Sequence, residues 1–381
     1  MTIGIDIRVL GAKQWGGIQE YTENLLAHVL PLTPLINYKL FYSSYKPSLF
    51  SNSQDFDFPW LKLPNVELIN KRIPNRTLFL GSNVLNQPKL DRLIGGTDVF
   101  FFPHFLLGSL TDSCRRITTF HDLSFIHFPE MFSLKRRMWH FHMQPRWQAK
   151  FSDRIIAVSE STKNDLADIY DIDGEKISVI YQGCHPSFRP LDEEAKEIFK
   201  WENSLPERFI LSLATLEPRK NLRGIIKAFE IVRKNHPDLH LVIAGSEGWL
   251  AEEFNSVVSS STENKYIRLA GNVDRVDRVN YYNCALALVY PSFFEGFGLP
   301  PLEAMACSTP VIVSHTSSLP EVVGDAGILV DPYDASDIAK GIECVLSDSA
   351  LSQKLKAKGL NRAEKFSWPQ IAEKTLEVLT S

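Results

Sequence analysis

Cysteine is scarce and poorly spaced for any scaffold. The 381 residues hold five, at 114, 184, 284, 307 and 344, with no Cys-x-x-Cys pair and no metal-ligand spacing. That excludes a thiolate metal centre and a disulfide framework, and it predicts reduced thiols in a cytoplasmic protein. Long apolar runs are missing too. The richest, VFFFPHFLLG at 99–108, is too short to span a bilayer and contains Pro103 and His104. The opening MTIGIDIRVL alternates like a strand and lacks the charged and apolar regions of a signal peptide. Net charge is only −4, so no electrostatic footprint for nucleic acid is present. Gly-x-Gly-x-x-Gly with an acidic partner about 20 residues on is absent, which argues against a Rossmann oxidoreductase.

What is present is an alternation of short apolar runs and amphipathic stretches. Strands are predicted at 3–10, 38–43, 66–69, 98–103, 116–120, 154–159 and 177–181, then at 209–215, 239–245, 266–271, 285–291, 310–314 and 327–331. Continuous apolar runs bounded by turn residues suit strands buried on both faces of parallel sheets. Between them, NLRGIIKAFEIVRKNHP places Leu222, Ile225, Ile226, Phe229 and Val232 on one helical face. The length and the repeated β-α order predict two Rossmann-like, doubly wound α/β domains facing across a cleft. The first is expected over 1–185 and the second over 186–366. The stretch QGCHPSFRPLDEEAK (182–196) reads as the linker, and the helix at 367–381 is expected to pack back on the first domain.

Ligands of open α/β sheets collect beyond the carboxyl ends of strands, so motifs there matter most. In FFEGFGLPPLEAMA (293–306), Glu295 and Glu303 flank a tight bend. Glu295 is expected in a loop, and Glu303 in the first turn of a helix beginning near Pro300 or Pro301. Gly296 and Gly298 let backbone amides approach a ligand, and a helix start favours an anion. Two carboxylates around an anion-binding turn suit a ligand with hydroxyls at both ends and phosphate in the middle. EPRKN (217–221) puts Arg219 and Lys220 at another strand end, where both can meet phosphate oxygens. Gly16 and Gly17 in WGGIQEY open a helix after the first strand, as an anion site or as a plain turn. His121 in TFHDL stands just past a strand.

Together these stretches resemble the retaining glycosyltransferases of family 4, the group 1 glycosyl transferases, whose fold is GT-B. The resemblance extends through LATLEPRKNLRGIIKAF, LAGNV, GILVDPYDASDIAKGI, TFHDLSF and WGGIQEY, in the family's order. It implies that Arg219 and Lys220 bind the donor's diphosphate. It implies further that Glu303 holds the ribose, that the base lies near Asn272 and Val273, and that Glu295, the backbone of Phe297–Leu299 and His121 meet the sugar. Many relatives carry an arginine near Thr215–Leu216; here Arg219 stands directly before Lys220 instead.

The resulting expectation is a retaining, metal-independent hexosyltransferase. It would move a hexose from a nucleotide sugar, UDP-glucose first and GDP-mannose next, to a saccharide or lipid-linked saccharide in cell-surface polysaccharide synthesis. The acceptor would bind the N-terminal domain. No cofactor is expected, and the pairs Asp55–Asp57 and Asp171–Asp173 read as solvated loop residues rather than metal ligands. A sugar-nucleotide epimerase or hydrolase of the same fold, or an inactive nucleotide-binding module, are the alternatives. Residues 134–150 carry Lys135, Arg136, Arg137, Arg146 and Lys150 beside Trp139, Phe141 and Trp147. They could touch the inner membrane face peripherally or form an ordinary solvated helix.

Overall fold

The computed structural model describes residues 1–12, 15–43, 58–246 and 251–381. The chain divides into two compact units. One comprises Met1–His127, Leu134–Gly183 and Trp368–Ser381; the other comprises Phe128–Ser133 and Cys184–Ser367.

Each unit is built on one parallel sheet. In the first, β1 (Thr2–Asp6), β2 (Asn37–Tyr42), β3 (Val66–Asn70), β4 (Val99–Phe102), β5 (Arg115–Phe120), β6 (Arg154–Ala157) and β7 (Ile177–Val179) lie in the order β3-β2-β1-β4-β5-β6-β7. In the second, β8 (Phe209–Leu213), β9 (His240–Ala244), β10 (Ile267–Gly271), β11 (Leu288–Tyr290), β12 (Val311–Ser314) and β13 (Gly327–Val330) lie in the order β10-β9-β8-β11-β12-β13. All pairings are parallel. The apolar runs make this possible. Val99 to Phe102, Phe209 to Leu211 and Val311 to Val313 are essentially inaccessible to water, so helices must cover both faces of each sheet.

The helix Leu222–Val232 buries the predicted face, with Ile225, Ile226, Phe229 and Val232 in the second core. The helix Trp368–Thr380 lies against Gly17–Val29, and its Trp368, Ile371, Ala372 and Leu379 belong to the first unit's core.

The first strand is shorter than its apolar run. It stops at Asp6, and Arg8–Gly11 forms a 3₁₀ turn. The Asp6 carboxylate accepts from the Arg8 backbone N–H at 3.0 Å and from its guanidinium at 2.5 Å, both groups buried. The Ile7 N–H still bonds the Phe41 carbonyl at 2.9 Å, and beyond it the local Asp6–Arg8 pair accompanies the change from strand to turn.

Both sheets change direction once. The order reverses between β1 and β4 in one unit and between β8 and β11 in the other. The carboxyl ends of β8 and β11 therefore flank the point where the order reverses, the place where doubly wound sheets take ligands.

Candidate active site

The two motifs singled out in the second half follow these two strands. After β8, Pro218–Lys220 forms a single 3₁₀ turn, and Asn221, in the left-handed conformation with φ 57°, caps Leu222–Val232. The Asn221 carboxamide fixes the turn. Its oxygen accepts from the Gly224 N–H at 3.2 Å, and its nitrogen donates to the carbonyls of Pro291 (3.2 Å) and Pro332 (2.6 Å). One buried side chain thus ties together the segments that follow β8, β11 and β13. Gly224 is required here, because a Cβ would stand 2.6–2.8 Å from that carboxamide.

The result is a charged cluster. Lys220 Nζ donates to Glu295 Oε1 at 2.6 Å and to the Tyr290 hydroxyl at 2.7 Å. Arg219 Nη1 donates to Glu295 Oε2 at 2.8 Å and to the Phe294 carbonyl at 3.0 Å, while its Nη2 lies 3.4 Å from Glu217. Glu295 is 6% exposed and Lys220 8%, so these charges are screened little by water. Burial alone would raise the Glu295 carboxyl. Arg219 and Lys220 outweigh it and hold the group at about 2. Lys220 is lowered from the ordinary lysine value, first by burial and then by Arg219, against the pull of Glu295 and Glu217. The two directions share one cause: a carboxylate under two cations gains, whereas a buried lysine beside another cation loses. Two cations and two carboxylates make the cluster formally neutral.

The loop after β11 is held by a run of hydroxyls. Ser317 Oγ accepts from the Glu295 N–H at 2.9 Å, and Ser318 Oγ lies 2.9 and 2.7 Å from the carbonyls of Glu295 and Phe297. Thr316 donates to the Phe293 carbonyl at 3.0 Å and Ser314 to that of Ser292 at 2.6 Å. The Phe293 N–H bonds the Arg219 carbonyl at 2.9 Å, joining the two loops by backbone. Gly298, with φ 114°, caps the helix Leu299–Ala306. A Cβ there would lie 2.6 Å from Leu319, so both torsion and space demand glycine. Pro300 and Pro301 bring no N–H to the first turn. The Leu302 N–H, the next along the helix, bonds the Gly298 carbonyl at 3.4 Å.

Glu303 sits elsewhere. The helix begins at Leu299, so Glu303 is its fifth residue, beyond the first turn where it was expected. It is buried, accepts from the Tyr282 hydroxyl at 2.7 Å, and lies 3.6 Å from Arg278. Glu295 and Glu303 thus serve separate neighbourhoods. Asn272 and Val273 follow β10, exposed and half-buried respectively.

In the first unit, His121 follows β5 and is buried. Its Nε2 donates to the Pro103 carbonyl at 2.8 Å, leaving Nδ1 to accept from Gln182 Nε2 at 3.3 Å. Burial pushes the ring below the usual histidine range, consistent with this neutral tautomer. Both ring nitrogens are engaged, and the carbonyl of His121 accepts from Thr162 at 3.3 Å. Gly16 caps Gly17–Val29, and its N–H is taken by the Gln19 side chain at 3.0 Å. A Cβ at Gly16 would meet nothing nearer than 3.6 Å, so no steric demand accounts for glycine there. Asp173 caps a short turn by accepting from the Glu175 N–H, and Asp171 ends the helix Glu160–Tyr170; Asp55 and Asp57 lie outside the described residues.

Tyr290, Asn221, Glu217 and the Ser314–Ser318 hydroxyls were not singled out from sequence. The signal was the hydroxyl-rich SHTSS at the end of the PVIVS strand, a polar run at a strand's carboxyl end.

Two family models match the chain: "Glycosyl transferases group 1" over residues 193–362 and "Glycosyltransferase Family 4" over 15–188. The chain is 32% identical over 282 residues to the O-antigen chain mannosyltransferase B of Escherichia coli, covering 73% of this chain and 71% of that protein. It spans only about a third of some longer curated relatives. Among solved structures, sucrose-phosphate synthase of Thermosynechococcus elongatus superposes with a TM-score of 0.76 at 19% identity, covering 99% of this chain and 98% of that one. Anabaena Alr3699/HepE in complex with UDP and glucose gives 0.74 at 15%, covering 100% and 99%. At such identities the likeness is one of fold.

Proposed function

The chain belongs to the group 1 glycosyl transferases and has the two-domain α/β GT-B fold, and from that premise we propose a retaining, metal-independent hexosyltransferase of family 4. The observation that carries the proposal is the buried cluster at the β8–β11 switch point, where Arg219 and Lys220 converge on Glu295. The nucleotide sugar binds the second unit. Its diphosphate meets Lys220, the guanidinium of Arg219 and the amides of Phe297, Gly298 and Leu299. The 3.4 Å contact from Arg219 to Glu217 is the weakest in the cluster and the one a phosphate oxygen replaces. Glu295 receives sugar hydroxyls, Glu303 the ribose, and Asn272–Val273 the base.

As the bond from the anomeric carbon to the phosphate oxygen breaks, negative charge builds on the leaving nucleoside diphosphate. Fixed cations and amides offset it without reorganising. The acceptor hydroxyl forms its bond to the anomeric carbon on the same face, and its proton passes to the leaving phosphate oxygen. The acceptor, a saccharide or lipid-linked saccharide, binds the first unit. Gly16 and Gly17 remain proposed donor contacts and His121 a proposed sugar contact; each requires an existing hydrogen bond, at Gly16 and at the imidazole, to be exchanged.

The Escherichia coli relative is a mannosyltransferase by name, which supports a mannosyl donor in polysaccharide synthesis alongside UDP-glucose. No helix among the described residues is long and apolar enough to cross a membrane, and the proposed location is cytoplasmic, peripheral at the inner face. A thermal-shift panel of UDP-, GDP-, ADP- and TDP-sugars tests the donor, since a true donor stabilises the fold by mass action. One nucleotide sugar is expected to raise the melting temperature with micromolar to millimolar dependence; silence from all of them removes the donor assignment. Donor consumption without acceptor would favour the epimerase or hydrolase alternative.

A further inference from the structure

Two stretches of the first unit, 71–90 and 134–152, together hold nine Lys and Arg and no Asp or Glu, in a chain whose net charge is −4. Each contains a helix, Asn75–Leu85 and Leu134–Met143, and Asn83 Nδ2 donates to the His142 carbonyl at 3.2 Å, tying the two together. The second helix is apolar on its outer side as well as its inner one. Met143 is buried and Trp139 stacks on His104, ring centroids 5.9 Å apart, so Trp139 is an inward residue. Yet Leu134, Met138 and Phe141 are 74%, 60% and 79% exposed. At about 100° per residue these three fall within about 60° of one another, opposite Met143, with Lys135 on one flank and Arg137 on the other. On the neighbouring helix Leu80, Val84 and Leu85 are 65–71% exposed. Two helices tied together that each expose large apolar side chains carry more than the singly scattered ones of an ordinary soluble face.

We propose that these two helices form a platform that lies on an anionic phospholipid surface. Leu134, Met138 and Phe141, with Leu80 and Val84, enter the acyl boundary, and Lys135 and Arg137 meet lipid phosphates beside them. An apolar stripe between cationic margins, with no carboxylate in either stretch, is the pattern an interfacial helix needs. The inference deepens the peripheral-contact part of the proposed function and is independent of its chemistry.

The test is co-sedimentation of the full chain with phosphatidylcholine vesicles, with and without phosphatidylglycerol. The intact protein should bind the anionic vesicles, bind the neutral ones far less, and release as salt rises. Removing a flanking cation by Lys135→Gln or Arg137→Gln should weaken partitioning about fivefold each. The triple variant L134Q/M138Q/F141Q should lose most of the binding while melting like the parent, because its side chains face solvent. No binding of the parent to anionic vesicles, or undiminished binding of the triple variant, overturns the proposal. Stabilisation by a nucleotide sugar is read without vesicles, so the two readings fail separately.

Discussion

Replacing Glu295 by glutamine removes one negative charge and keeps the shape of the side chain. In the parent, the carboxyl is held at about 2 against an ordinary value of 4.5. A depressed carboxyl contributes stability that is complete above its unfolded value and is lost as pH falls through its folded one. A shift of about 2.5 units corresponds to about 3 kcal/mol at neutral pH. The same figure follows from breaking a buried ion pair, about 3–5 kcal/mol, because Arg219 and Lys220 would be left facing an amide. For a unit of this size, about 3 kcal/mol should lower its melting temperature by roughly 6–12 °C. Calorimetry of parent and Glu295→Gln at pH 7 and near pH 3 is the assay. The gap between them should be full at pH 7 and about half as large near pH 3, since the parent's contribution is then draining away. Refutation would be a gap within 1–2 °C at neutral pH, roughly the noise of such a melt. A gap that widens on acidification would refute it equally, because that would mean Glu295 is not held ionised by its two cations.

Lys220→Ala should reduce turnover about 10²–10³-fold, the loss expected for one donor aimed at developing oxyanion charge. Near-parental kcat would remove Lys220 from the chemistry. Tyr290→Phe deletes only the hydroxyl that accepts from Lys220; it should cost about 1–2 kcal/mol and lower kcat more than it raises KM, which steady-state kinetics will separate. Gly298→Ala forces a Cβ into Leu319 at φ 114°, and chemical denaturation should show a loss of about 1–3 kcal/mol with weakened donor binding. Asn221→Ala frees the Pro291 and Pro332 carbonyls from their shared donor, and a drop of about 2–4 kcal/mol in the same experiment is expected.

The positions of the strands in both units were legible because buried parallel strands announce themselves as continuous apolar runs, FILSL and VIVS being the clearest; their order within each sheet came only from the fold. The run IGIDIRVL misled over its second half. Apolar periodicity cannot see a buried Asp6–Arg8 pair at the change from strand to turn. In the site, Lys220 and Glu295 were legible from motif and position, and the structure joins them by a 2.6 Å bond. Glu303 was placed one or two residues too early in its helix because either proline looked like the first helical residue, whereas Gly298 caps the helix ahead of both. The hydroxyls of Ser314–Ser318 and the clasp of Asn221 were illegible for a different reason. Serine and asparagine serve any turn, and only the tertiary fold says which carbonyls they will reach. Nothing local marks Phe128–Ser133 as part of the second unit.

The helix Trp368–Thr380 has a consequence for how the protein comes into being. It completes the core that β1 begins, yet it is translated only after the whole of the second unit has emerged. Until then the first unit's core lacks Trp368, Ile371 and Leu379, and the apolar side chains they cover in the finished fold have no partner from that helix. Cutting the chain after Gly183 would therefore deprive the first unit of Trp368–Ser381 and the second of Phe128–Ser133.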